Sequence, residues 1–232
     1  MRERYVHLTP RLFAASELLK GSETVADIGC DHGRLTAALL QQNVCRTVIA
    51  SDISEDSLQK AESLLRYIGL KDRVSFRIGD GLSVLHDGEC DAIALLGMGG
   101  TLMARILDAA PSPLCGAKAV VLQPMRAQAD IRAYLHRNRY RITDDRIVEE
   151  HARLYQVLRA VPSDTVQPLP SGWPEEFFDM GFVSFANGDP LLHKLVSKAL
   201  AQHRARLQSA IGTDGETRLR RKIDALETIL SL

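Results

Sequence analysis

Short apolar runs alternate with amphipathic segments over the first two thirds of the chain. The runs are rich in β-branched and aliphatic residues and are bounded by Gly, Asp or polar residues, a pattern typical of buried strands. They are TVADI at 24–28, RTVIAS at 46–51, RVSFRI at 73–78, DAIALLG at 91–97 and AKAVVLQ at 117–123. Nearly continuous apolar strands separated by helices predict a parallel sheet covered by helices on both faces.

The segments between the runs space their apolar residues as helices do. One follows Ser54, which is predicted to cap the helix, and another follows GMGG at 97–100. The apolar positions are Leu58, Ala61, Leu65 and Ile68 in the first, and Leu102, Ile106 and Ala109 in the second. RYRITDDRIVEE at 139–150 and RLYQVLRAV at 153–161 predict two further strands, joined as a hairpin at one edge of the sheet.

The pattern changes near residue 162. The segment PSDTVQPLPSGWP at 162–174 holds four of the nine prolines and is predicted to be a linker or an extended connection. Beyond Pro190, two segments with helical spacing flank the Gly-bounded turn at 212–215, which predicts an antiparallel helical hairpin. We therefore expect an α/β domain at 1–162, and a linker with a C-terminal helical hairpin at 163–232.

Composition sets few limits, because 45% hydrophobic and 25% charged residues are ordinary values for a soluble globular protein of 232 residues. The formal net charge is zero, but its distribution is uneven. Residues 21–95 contain 7 Lys/Arg and 12 Asp/Glu, whereas residues 126–141 contain 5 Arg and 1 Asp, and residues 191–232 contain 8 Lys/Arg and 4 Asp/Glu. The acidic and basic parts indicate different ligands, with solvated helix faces as the alternative.

The cysteines and the N-terminus indicate where the protein works. Cys30, Cys45, Cys90 and Cys115 form no C-x-x-C pair, which predicts buried free thiols and no metal site. The N-terminus, MRERYVHLTP, lacks the apolar stretch of a signal peptide, and no window approaches 18 apolar residues. We expect a cytoplasmic protein with no membrane association.

The turn after the first run carries the first candidate chemistry. DIGCDHG at 27–33 resembles a nucleotide-binding turn between a strand and a helix, but it has Asp31 where a dinucleotide site has a glycine. A carboxylate there repels a pyrophosphate held at the helix N-terminus. S-adenosylmethionine (SAM) has no phosphate and carries a sulfonium and an ammonium group. Asp31 therefore favours SAM over NAD.

Two further carboxylates end successive strands. Asp52, about 20 residues beyond the glycine turn, is placed to accept hydrogen bonds from ribose hydroxyls, with helix capping as the alternative. Asp80, in IGDGL, is placed beside an adenine ring, with a turn-forming Asp-Gly pair as the alternative. The adjacent residues assigned to the same cofactor site are Ile53, Gly79 and Gly81.

The fourth run ends in GMGG at 97–100, where the lack of side chains would let a flat base approach over the backbone. A simple tight loop is the alternative, and Met98 could contact the base or fill the core.

His32 is the lone histidine of this region. A histidine at the start of a helix is more often structural than catalytic. Hydrolysis, zinc proteolysis and NTP binding have no support, because no Ser–His–Asp, HExxH or GxxxxGK[ST] pattern is present.

Together these motifs resemble those of the bacterial tRNA adenine-N1-methyltransferases that modify adenine 22. The resemblance covers essentially the whole chain, and its specific part is the pairing of DIGxDH with GMGG. It rests on ADIGCDHGRL, GDGL, DAIALLGMGG, LQP at 122–124, LYQVL at 154–158 and the helical C-terminus. It implies a Rossmann-like class I SAM-dependent methyltransferase domain followed by a small coiled-coil-like domain.

The resemblance also implies transfer of a methyl group from SAM to N1 of an adenine in tRNA. The positions that match the SAM motif are Asp27, Gly29, Cys30, Asp31 and His32, and those that match the catalytic loop are Gly97, Met98, Gly99 and Gly100. Two positions depart from the family. Arg34 replaces an aromatic residue, and Met125 follows LQP where relatives commonly have Asn, which leaves Gln123 as a candidate to hold the base.

We expect Asp31 to stabilise the cationic methylated adenine, with SAM binding alone as its competing role. The arginines between 126 and 141 and the basic face of the hairpin are expected to hold tRNA phosphates. The residues assigned to the substrate are Arg34, Gln123, Arg126, Arg137, Arg139 and Arg141.

Three other readings stay open at this point. The chain could methylate another RNA position or a small molecule. It could be an NAD-dependent oxidoreductase, which Asp31 disfavours, or a non-catalytic assembly module that uses the hairpin to dimerise. The sequence leaves the oligomeric state open.

Overall fold

The computed structural model describes residues 5–110, 112–174 and 177–232. Residues 1–4, which begin the predicted first domain and the segment compared with a signal peptide, lie outside the described residues. Seven strands form one sheet in the order β3-β2-β1-β4-β5-β7-β6. They are β1 Thr24–Ile28, β2 Thr47–Asp52, β3 Val74–Ile78, β4 Ala92–Gly99, β5 Ala119–Arg126, β6 Tyr140–Glu150 and β7 Arg153–Pro162.

The sheet is parallel from β3 to β5, and β7 pairs antiparallel with both β5 and β6. The predicted parallel sheet and edge hairpin are therefore confirmed. The carboxyl ends of β1 to β5 lie along one edge of the sheet. β6 runs in the same direction as β5, so Glu150 also lies at this carboxyl edge, whereas Tyr140 lies at the opposite, amino edge.

Helices cover both faces, as predicted. They are α1 Pro10–Leu18, α2 Arg34–Gln41, α3 Glu55–Tyr67, α4 Gly100–Asp108, α5 Gln128–Arg137, α6 Phe182–Ala186, α7 Leu192–Ala210 and α8 Asp214–Ser231. Apolar residues of α1, α2 and α3 form one buried cluster, and those of α4, α5, α7 and α8 belong to a second. Ser54 Oγ accepts a hydrogen bond of 3.3 Å from the Ser57 N–H, which confirms the predicted cap.

The C-terminal hairpin packs onto the second of these clusters. The buried residues of its seam are Leu192, Val196, Leu200, Ile223, Leu226 and Ile229. β7 ends at Pro162, where the first domain was predicted to end. The segment beyond it is not a free linker, since the Gln167 side chain bonds both the N–H (2.7 Å) and the carbonyl (3.0 Å) of Ile142 on β6. It thereby covers part of the outer edge of the sheet. The division into two domains stays a prediction.

The cysteines are buried and free, as expected. Across the described ranges, no helix is both long and apolar enough to cross a membrane. Within the same ranges, no group of three or more His, Cys, Asp and Glu side chains is arranged to hold a metal ion.

Candidate active site

A cavity of about 910 Å³ opens at the carboxyl edge of the sheet, where β1, β2, β3 and β4 end. The sequence assigned this edge to a ligand because the strand ends of an open α/β sheet leave a crevice there. The cavity brings together these predicted site residues: Asp27, Gly29, Cys30, Asp31, His32, Arg34, Asp52, Ile53, Gly79, Asp80, Gly81, Gly97 and Met98. Every residue assigned to the cofactor therefore lines this one cavity.

Asp27 is the innermost carboxylate of the cavity. It is 3% exposed, and its Oδ2 accepts a hydrogen bond of 2.7 Å from the Thr36 hydroxyl on α2. Burial raises the pKa of Asp27 to about 6, although the hydrogen bonds from Thr36 lower it and the negative charge of Asp52 raises it further. Because this pKa lies near neutrality, a cation in the cavity would strongly favour the ionised form.

Asp31 and Asp52 join the turns that follow β1 and β2. Asp31 has a left-handed backbone (φ 47°), which Asp tolerates better than most residues. Its N–H donates to Asp52 Oδ2 at 3.1 Å, and the N–H of Ser54 donates to Asp52 Oδ1 at 2.9 Å. Asp52 thus fixes the local backbone and faces the cavity at the same time. The Asp31 side chain is 74% exposed at the outer wall, with His32 Nε2 3.4 Å from its Oδ1.

Gly97, Met98 and Gly99 form a bulged strand end and not the simple tight loop that was the alternative, and Gly100 begins α4. β4 continues through Gly99, with register shifts on both sides of Met98, and Gly97 has a φ of 76° with open space where a Cβ would stand. The terminal methyl of Met98 packs against Gly29, so a Cβ at that position would have to displace the flexible methionine side chain. The bulge gives the cavity a wall without a side chain at Gly97.

Gly99 and Gly100 are not among the residues that line the cavity, and their assignment to the catalytic loop stays a prediction. A Cβ on Gly99 would stand 3.3 Å from Arg126 Nε, and one on Gly100 would collide with the carbonyl oxygen of Ala127. These two glycines let the start of α4 pack closely against the turn between β5 and α5.

The assignment of Gln123 to the substrate is also corrected, because this side chain is completely buried. Its Oε1 accepts a hydrogen bond of 3.0 Å from Arg11 Nη1, and its Nε2 donates to the Pro124 carbonyl at 3.3 Å. Gln123 therefore positions Arg11, which itself lines the cavity. Arg11 also pairs with Glu150 (3.3 Å) and lies 5.5 Å from the centre of the Tyr155 ring.

Neither α1 nor Arg11 is among the features predicted from the sequence. The available signal was Thr9-Pro10, since Thr is a favoured N-cap and Pro a favoured first helical residue. The apolar pattern of this short helix is too weak to show alone.

A family of methyltransferase domains matches residues 8–158, which include the strands and turns that form the cavity. The match covers well over half of the chain. The chain belongs to this methyltransferase family.

The individual proteins most relevant to this methyltransferase are tRNA methyltransferases. A tRNA (adenine(22)-N(1))-methyltransferase of Bacillus subtilis is 36% identical over 157 residues, which are 68% of this chain and 66% of that protein. The aligned part is thus slightly under two thirds of that relative. The crystal structure of B. subtilis TrmK, a tRNA methyltransferase, superposes with a TM-score of 0.82 and 27% identity, over 97% of this chain and 99% of that one. The resemblance inferred from the motifs is confirmed.

The fold is also that of M. capricolum TrmK in complex with S-adenosyl-homocysteine, with a TM-score of 0.80 over 97% of this chain and 98% of that one. At 18% identity, this likeness concerns the fold alone.

The predicted arginine cluster of the methyltransferase does not form one surface. Arg126 ends β5 beside Gly99 at the carboxyl edge. Arg132 is completely buried and bonds Asp145 at 2.9 Å, so its expected role in holding phosphates is wrong. The other three lie around the start of β6, at the amino edge of the sheet; they are Arg137, Arg139 and Arg141.

Proposed function

We propose that this chain uses SAM to methylate N1 of an adenine in tRNA, at adenine 22. The observation that carries the proposal is the acidic turn after β1, where the Asp31 N–H bonds the Asp52 carboxylate at 3.1 Å beside the buried Asp27. The B. subtilis relative, a tRNA (adenine(22)-N(1))-methyltransferase, supports the choice of acceptor.

The donor set of the cavity fits SAM. Four carboxylates lie on its wall, namely those of Asp27, Asp31, Asp52 and Asp80. They suit a ligand with a sulfonium, an ammonium and a ribose diol, and they oppose a pyrophosphate at the N-terminus of α2. SAM, when bound, supplies an electrophilic methyl group. Asp52 is the residue that would hold the ribose, and Asp80 would lie on the side of the adenine ring.

The residues of the chain orient the acceptor and stabilise its charge. Adenine N1 is a neutral nucleophile with an in-plane lone pair, so the site needs no strong base, and positioning supplies much of the rate. The open backbone at Gly97 gives a flat base room at the wall. The exposed carboxylate of Asp31 is the group that stabilises the positive charge developing on the base.

The acceptor adenine has to leave its stack to reach the cavity. Arg34 at the cavity wall and Arg126 at the end of β5 are exposed cations on this edge, and they would contact nearby phosphates. The arginines around the start of β6 and the basic face of the hairpin would meet more distant parts of the tRNA, with a marked dependence on salt. A tRNA substrate also implies a cytoplasmic location.

The deciding experiment incubates the full chain with SAM and an unmodified tRNA transcript and then maps the methylated nucleotide. Methylation of N1 of adenine 22 is the expected result. Product at another nucleotide would overturn the assignment to adenine 22 but spare tRNA methylation. A thermal shift with NADH and none with SAM would instead favour an oxidoreductase. If the chain bound neither ligand, the result would favour a non-catalytic assembly module.

A further inference from the structure

A second cavity, of about 530 Å³, adjoins the first and shares His32 and Arg34 with it. Its other wall is the N-terminal segment at 5–7, together with Lys60 and Leu64 of α3. A ligand group in the second cavity would therefore be a direct neighbour of one in the first.

Two contacts hold the N-terminal segment in place. The N–H of Val6 donates to Gln41 Oε1 at 2.9 Å, and Arg34 Nη2 donates to the carbonyl of His7 at 3.0 Å. The rings of Tyr5 and His7 lie 5.7 Å apart in an edge-to-face arrangement, and Tyr5 is 47% exposed. An accessible aromatic face thus stands beside the cavity on an anchored backbone.

Among the described residues, some cations of the acidic stretch 21–95 are neutralised by a neighbouring carboxylate, and those of the second cavity are not. In the acidic stretch 21–95, Arg66 and Lys71 pair with Glu62, and Arg77 pairs with Glu89. Arg34 and Lys60 are exposed, and neither forms an ion pair within the described part of the chain. Two unpaired cations beside exposed aromatic rings match the chemistry of a site for single-stranded nucleic acid, where cations track phosphates and rings stack on bases.

We propose that the second cavity binds the nucleotide next to the acceptor adenosine. Arg34 and Lys60 hold its phosphate, and its base stacks on Tyr5. The proposal rests on the proposed tRNA methylation and gives that function a substrate contact on the N-terminal segment. Arg34 lines both cavities, and in this proposal it binds a phosphate between them.

The test measures binding of an unmodified tRNA transcript by the full chain over a series of salt concentrations. The double variant Arg34→Gln/Lys60→Gln should lose about tenfold in affinity at low salt, and its slope of log K against log salt should fall by about 1 to 2. The single variant Arg34→Lys, which leaves Lys60 unchanged, should keep the wild-type slope because it keeps the positive charge. Tyr5→Leu should weaken binding by about tenfold without changing the slope, because stacking is not ionic.

Arg46→Gln is the matched control. Arg46 is exposed and precedes β2 at the amino edge of the sheet, and it has no ion pair among the described residues. This variant should bind tRNA as the wild type does. Melting temperature and SAM affinity report that each variant is folded.

The outcomes separate this proposal from the proposed function. If the wild type methylates tRNA and the double variant keeps its affinity and slope, the second cavity is not a nucleotide site, although tRNA methylation stands. If the wild type does not methylate tRNA but binds it through Arg34 and Lys60, the cavity assignment stands and the activity is wrong. If the wild type binds no tRNA, both are overturned.

Discussion

Arg11 donates a hydrogen bond of 3.0 Å to the buried side chain of Gln123, and so joins α1 to the end of β5. The same arginine pairs with Glu150 at the end of β6. One side chain thus connects a helix and two strands beside the cavity. Removing the guanidinium leaves the oxygen of Gln123 without its donor, whereas Glu150 keeps the hydrogen bond from the backbone N–H of residue 11 (3.2 Å) and loses the one from the side chain.

We therefore expect Arg11→Met to lower the free energy of unfolding by about 1–3 kcal/mol, since an unsatisfied buried acceptor loses its solvation without compensation. Urea denaturation measures the loss. In a double-mutant cycle with Gln123→Leu, the two changes should be less than additive, because the second removes the acceptor that the first orphaned. Strict additivity would contradict the pairing.

The same variant should change stability on the acid side. Burial alone would raise the pKa of Glu150, but hydrogen bonds from the Arg11 N–H and the Arg11 guanidinium help to outweigh it, so the pKa is lowered. A lowered pKa stabilises the fold above the ordinary pKa of a glutamate, and this stabilisation disappears as the pH falls through the folded-state pKa. Arg11→Met should lose part of this dependence, as measured by unfolding at several pH values.

Asp27 predicts the opposite dependence for stability. Because burial raises its pKa to about 6, its contribution to stability is fully present below the ordinary pKa of an aspartate and is lost as the pH rises through 6. Asp27→Asn should therefore raise the free energy of unfolding near pH 7.5 by up to about 3 kcal/mol, and much less near pH 4. An equal effect at both pH values would exclude titration of Asp27 as the cause.

Asp27 also predicts how cofactor affinity depends on pH. If the ionised carboxylate attracts SAM, the affinity should fall by roughly tenfold as the pH drops from about 7 to about 5. In Asp27→Asn the affinity should be low and nearly constant over that range. Isothermal titration measures both, and a wild-type affinity that does not change with pH would contradict a charged contact.

Parts of this site could be read from the sequence because they depend on local patterns. Asp27 and Asp52 lie in the last two residues of β1 and β2, and Asp80 follows β3 by two residues. Because parallel strands bring their carboxyl ends to one edge, a correct list of strands was enough to place these three residues together. The burial of the Arg132 and Gln123 side chains could not be predicted in this way. Both depend on partners distant in the chain, Asp145 and Arg11, and an arginine or glutamine looks the same whether it is exposed or paired in the core.

The bulge at Gly97 predicts a selective loss of activity. Gly97 and Gly69 have φ values of 76° and 77°, and a Cβ on either would meet no atom within 4 Å. An alanine at each position should therefore cost a similar backbone strain, about 1–2 kcal/mol. Only Gly97 lines the cavity. Gly97→Ala should lower kcat/KM for tRNA well beyond Gly69→Ala at equal loss of stability, and similar rates in the two variants would remove Gly97 from the base-binding wall.

A substitution at Asp31 distinguishes a role in catalysis from a role in cofactor binding alone. Its side chain is exposed at the cavity wall, whereas its N–H makes the bond to Asp52, so Asp31→Asn keeps the backbone contact and removes only the charge. If the carboxylate stabilises the cationic adenine, the rate at saturating SAM should fall by about tenfold to a hundredfold. Single-turnover kinetics measure this rate. A full rate at saturating SAM would leave Asp31 with a role in binding alone.

The positions of the arginines predict two kinds of defect. Arg126 lies at the carboxyl edge beside Gly99, so Arg126→Gln should lower both the affinity for tRNA and the rate of methyl transfer. The three arginines around the start of β6 lie at the other edge, and replacing them together by Gln should change affinity and its salt dependence without changing the rate on bound tRNA. Binding and single-turnover assays distinguish the two, with SAM affinity as the control. Because these arginines can reach only a part of the tRNA distant from the acceptor adenine, an unchanged affinity at low salt would limit the tRNA interface to the carboxyl edge and the hairpin.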